Sequence, residues 1–113
     1  MNDKKQTIEP ELVMSFVGSA HGDFEKVKEL LLKEPALVNA GWDWGGGDWE
    51  TGLGAAAHMG RKDIATFLLK HGARMDIFCA AMLGKAKVVG AMVEDDPSVR
   101  FAVGPHGISL LDH

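Results

Sequence analysis

Trp42, Asp43, Trp44, Asp48 and Trp49 crowd one short stretch around the run Gly45-Gly46-Gly47. Indole rings offer large apolar contact area with few torsions to freeze, and neighbouring carboxylates suit a cationic group, so the chemistry such a stretch could do is recognition. The plainer alternative is that one or two rings fold back over the small residues at 54–57 while the glycines only supply bends. Five histidines occur, His21, His58, His71, His106 and His113, and no two have the i, i+4 spacing of a helical zinc motif. Each therefore reads as a surface or turn histidine, and no metal ligand is assigned. His21 and His58 do fall at matching places before Gly22 and Gly60, so an alternative is a metal site that they form with Asp43 or Asp48.

Other chemistries find less support. The lone Cys79 sits among small and apolar residues, where a buried, inert thiol is expected. No serine lies in a nucleophile elbow, and no paired carboxylates share an obvious helix face, so no catalytic residue is assigned and the chain reads as a non-enzyme. Residues 52–57, Gly-Leu-Gly-Ala-Ala-Ala, fit the dinucleotide fingerprint G-x-G-x-x-G/A. That fingerprint needs a buried parallel strand before it and an acidic residue on a second strand, whereas a loop precedes this one and a helix follows, so no cofactor is expected.

The elements that must position these residues come in a recurring unit. A small-residue pair, two variable positions and a glycine appear at residues 18–22, 56–60 and 80–84. After each glycine comes an apolar set at helical spacing: Val27, Leu30 and Leu31; Ile64, Phe67 and Leu68; Val88, Ala91 and Met92. Small residues let one set of helices approach closely, and the glycines are expected to turn the chain back through a positive φ. Helix stops follow at His71-Gly72 and at Pro35 and Pro97, because glycine takes a left-handed cap and proline cannot continue a helix interior. Gly22 to Gly60 and Gly60 to Gly84 are 38 and 24 residues apart, a mean near the ~33-residue period of one class of helical repeat.

On these residues the chain resembles an ankyrin repeat protein. The middle unit, residues 51–76, tracks that family's pattern nearly throughout, with Gly52 where proline is usual and Gly54 where histidine is usual, which implies a looser start to the inner helix. The resemblance implies an all-α helix-turn-helix repeat solenoid forming one domain. Repeat 1 spans about 10–40, a long finger 41–50, repeat 2 about 51–76, repeat 3 about 77–103 and a partial fourth repeat about 104–113. It also implies that residues just before the turn glycines, His58 and Met59, Met82 and Leu83, face the concave surface. The finger is about four residues longer than usual, and repeat 3 has lost its own, which leaves a notch.

Composition limits the rest. The net charge of −4 argues against sequence-independent attraction to nucleic acid or anionic lipid. No apolar stretch of membrane length occurs and cysteine is used once, so a cytoplasmic location with neither nucleic acid nor membrane as partner is the simplest reading. The expected function is non-catalytic binding of a protein partner through the concave face and the finger: Trp42, Asp43, Trp44, Asp48, Trp49, His58, Met59, Met82 and Leu83. Alternatives are a small ligand or metal held in the notch, and self-association through the C-terminal face. At that end either the chain is a fragment of a longer one, or Phe101, Val103, Ile108, Leu110 and Leu111 fold over repeat 3 as a cap.

Overall fold

In a computed structural model describing residues 6–113, three helical hairpins follow one another. They pair α1 (Pro10–Ser19) with α2 (Phe24–Lys33), α3 (Gly52–His58) with α4 (Lys62–Lys70), and α5 (Ile77–Met82) with α6 (Ala86–Asp95). The first helices of the pairs pack side by side, α1 on α3 and α3 on α5, and α2 lies against α4. The fold is mostly helical.

Local signals start and stop these helices. Asp23 caps α2 by accepting from the Lys26 backbone N–H, Thr51 caps α3 by accepting from Gly54, and Asp76 caps α5 by accepting from Cys79. Each such cap contributes ~1 kcal/mol. Glu34-Pro35 and Asp96-Pro97 do more than end α2 and α6. Each carboxylate caps a short 3-10 turn, Pro35–Asn39 and Pro97–Phe101, that begins at the proline.

The core runs between the hairpins. Small α3 residues Ala55, Ala56 and Ala57 are wholly buried, as the close approach of neighbouring helices requires. Val27, Leu30 and Leu31 of α2 are buried, and so are Ile64, Ala65 and Leu68 of α4. Each large side chain so covered contributes ~1.5–3 kcal/mol. Phe67, expected among them, is half-buried, edge-on to Phe24 at 5.4 Å. Two polar clamps tie one hairpin to the next. Arg61 Nη1 donates to the Gly22 carbonyl at 2.7 Å, and Asn39 bonds both the Gly72 carbonyl and the Arg74 N–H.

Several expectations need correction. The finger is not irregular loop: β1 (Gly41–Asp43) and β2 (Trp49–Thr51) pair antiparallel, so the chain is not purely α. This hairpin is the only sheet among the described residues, and α3 begins directly after it. Gly60 and Gly84 take positive φ, but Gly22 does not, so only two of the three recurring glycines are required by backbone conformation. Nor is the start of α3 loose. A Cβ on Gly52 would lie 2.8 Å from the buried Phe16 ring, so glycine there permits a close helix contact. The third apolar set is uncovered: α6 buries no residue, and Val88 and Met92 are exposed. Of the residues expected to cap that end, Leu110 is buried and Ile108 half-buried, whereas Phe101, Val103 and Leu111 stand in solvent.

Candidate metal centre

Glu50 is the one buried charged residue among those described, with its side chain fully enclosed. Strand alternation puts it there: in β2 Trp49 turns outward, 63% exposed, and Glu50 turns inward toward α1 and α3. A buried carboxylate must find partners or cost several kcal/mol. Its surroundings are three imidazoles. His21 Nε2 lies 3.1 Å from Oε1, His106 Nε2 lies 3.2 Å from Oε1, and His58 Nε2 lies 2.9 Å from Oε2. The indole N–H of Trp44 also donates to Oε1, at 2.9 Å.

Four separate pieces of chain supply these groups. His21 lies in the turn after α1, Glu50 in β2, His58 in the last position of α3, and His106 in the tight turn Pro105–Gly107. The rings form a near-regular triangle, with centroids 5.0, 5.2 and 6.1 Å apart. One ligand atom from each of the four residues can be chosen so that all lie within 4.8 Å of one another. Ligand atoms ~2.1 Å from a tetrahedral ion lie ~3.4 Å apart, so each of the four would have to move inward by up to ~1 Å to close on a first-row ion.

Hydrogen-bond accounting shows why a cation suits this cluster. His21 Nδ1 lies 3.0 Å from the carbonyls of Val17 and Gly18, and His106 Nδ1 lies 2.7 Å from Asp48 Oδ2. Carbonyls and carboxylates only accept, so both Nδ1 atoms carry a proton. In the neutral rings the Nε2 lone pairs then point at the Glu50 carboxylate, lone pair against lone pair. Protons on His21 and His106 would relieve that conflict at Oε1 but would not serve the other side. There Oε2 and His58 Nε2 are both buried and 2.9 Å apart, close enough to pair as ions, but neither makes a well-formed hydrogen bond. An ion bound by all four residues satisfies every one of these atoms at once.

The electrostatics divide the rings. Burial, outweighing the attraction of Glu50, holds His58 below the ordinary imidazole range, and the neighbouring His21 and His106 push the same way. A neutral imidazole is the form that binds metal. Burial would also lower His106, but its hydrogen bond to Asp48 and the charges of Glu50 and Asp48 together raise it. Asp48 is lowered, chiefly by accepting the His106 backbone N–H at 2.7 Å, against a smaller contrary effect of burial. Asp48 thus grips both the backbone and the ring of His106, the arrangement by which carboxylates orient metal-binding histidines.

Of the expected contact residues, the structure gathers Trp44, Asp48 and His58 at this cluster. Trp42 packs against the core, and Asp43 closes the glycine turn by accepting from the N–H groups of Gly45 and Gly47. Met82 and Leu83 pack along the core's edge, while Trp49 and Met59 are exposed. His106, expected to be an ordinary turn residue, is instead a member of the cluster, and Glu50 was missed. No helical spacing marks these four residues, because only folding brings residues 21, 50, 58 and 106 together. Period-2 alternation at Trp49-Glu50-Thr51 was the available signal for an inward carboxylate.

Against known proteins, the chain matches no family model, no curated protein and no solved structure. Among the described residues no helix is long and apolar enough to cross a membrane.

Proposed function

We propose that this chain is an ankyrin-like helical stack that binds one divalent transition-metal ion through His21, Glu50, His58 and His106. Support for the stack comes from the recurring small-residue pairs and turn glycines and from three hairpins packed in series. The metal reading is carried by one observation: Glu50 Oε2 and His58 Nε2, both buried and neither making a well-formed hydrogen bond, face each other 2.9 Å apart inside a ring of imidazoles.

Three imidazoles and one carboxylate select the kind of ion. Imidazole favours zinc, copper, nickel, cobalt and iron, whereas calcium and magnesium prefer all-oxygen shells. Holding the ion is the function assigned. A docking role for the finger retains Trp49 in its favour, whose ring stands free at the rim while Trp44 is bonded inward.

Zinc and cobalt(II) titrations test the proposal, followed by calorimetry and by the cobalt visible spectrum. One ion per chain is expected, with nitrogen and oxygen ligation. His21→Ala, at a partly exposed ring, should weaken binding at least a hundredfold with helix content unchanged. A wild-type chain that takes up no ion would sink the reading and leave the cluster as a protonated histidine–carboxylate network.

A further inference from the structure

We infer that the bound ion acts as a clasp that orders residues 102–113 against the finger, so that occupancy governs the shape of the end of the stack. The inference rests on the proposed metal site and extends it from binding to regulation.

Only one of the four ligands comes from this segment. His106 reaches the cluster from a turn in which it adopts φ 60°, ψ 18°, the single positive-φ residue other than glycine among those described. Left-handed backbone at a non-glycine residue is disfavoured and persists only where its surroundings hold it. What holds it here is polar: Asp48 accepts from both its N–H and its ring, and Glu50 lies 3.2 Å from its Nε2. With no ion, that hold consists of the two bonds to Asp48 and one contact to Glu50, whose Oε1 Trp44 already engages.

Apolar anchoring of the segment is thin. Leu110 is its one buried residue, Phe78 lies against Gly104 and His113, and Pro105 comes up against Gly54 of α3. Its other backbone bonds run within it, such as Gly104 N–H to the Ile108 carbonyl and Leu110 N–H to the Ala102 carbonyl, apart from Ala102 N–H to the Val99 carbonyl of the adjoining turn. One buried leucine offsets little of the conformational entropy lost in ordering twelve residues. A metal bond to His106 closes a loop from residue 21 to residue 106 and supplies the missing tether. Val103 and Leu111 ride on the same segment, so their placement would follow occupancy.

Hydrogen-exchange mass spectrometry of the whole chain, with chelator and then with saturating zinc, tests the clasp, with zinc content measured on the same samples. Amides of residues 104–110 should exchange at least tenfold more slowly with zinc, while those of α2 and α4 change less than twofold. His106→Ala should bind zinc more weakly and show fast exchange of the segment in both conditions. If one zinc binds per chain and exchange of 104–110 is unchanged, the clasp is overturned and the metal site stands. If no zinc binds, both fall together.

Discussion

Asp48 shows how a residue outside the ligand set can govern it. By accepting from both nitrogens of His106, backbone and ring, it fixes the ring's tautomer and aims Nε2 at the centre of the cluster. Asp48→Asn keeps the size of the side chain but can present an amide N–H where the carboxylate accepted. Zinc affinity should fall 10–100-fold, the usual effect of losing such an orienting partner. Asp43→Asn, whose remaining oxygen can still accept from Gly45 and Gly47, should leave affinity within about twofold. Calorimetric titration of the two variants side by side checks both outcomes, and equal losses would remove Asp48 from the site.

At the level of elements, the helices were legible and the site largely was not. Apolar spacing located α2 and α4, and the glycines and prolines marked where they stop, because these signals act over one or two turns of chain. The two three-residue strands of the finger carry too little pattern to outweigh a triple glycine, which by itself signals loop. Beyond the alternation of one short strand, no local pattern singles out Glu50, since its burial depends on α1 and α3 closing over β2. The start of α3 offers a sharp check on packing. Gly52→Ala should destabilise the chain by ~1–2 kcal/mol, because the new methyl collides with the enclosed Phe16 ring and this outweighs the gain in helix propensity. Gly54→Ala, whose Cβ would first meet the Thr51 hydroxyl at 3.4 Å, should be neutral or slightly stabilising. Urea melts of both variants separate steric cost from propensity.

For the whole molecule, stability should depend on pH through a residue remote from the histidine cluster. Burial, with a smaller contribution from Asp76, pushes the Cys79 thiol up to about 11 from an ordinary value of 9.0. The unfolded chain ionises first, so the stabilisation is fully present below pH 9 and is lost as pH rises toward 11. The loss should reach on the order of 2–3 kcal/mol. Denaturant melts of Cys79→Ala should lack this component of the alkaline decline, and thiol reagents should not label the native wild type at neutral pH.

Trp44 ends up sharing a carboxylate oxygen with the histidine cluster, through an indole N–H 2.9 Å from Glu50. Whatever recruits that carboxylate must also disturb the excited state of the ring beside it. If an ion enters the proposed centre, emission from this ring should change, an optical gauge built into the native chain that needs no attached label.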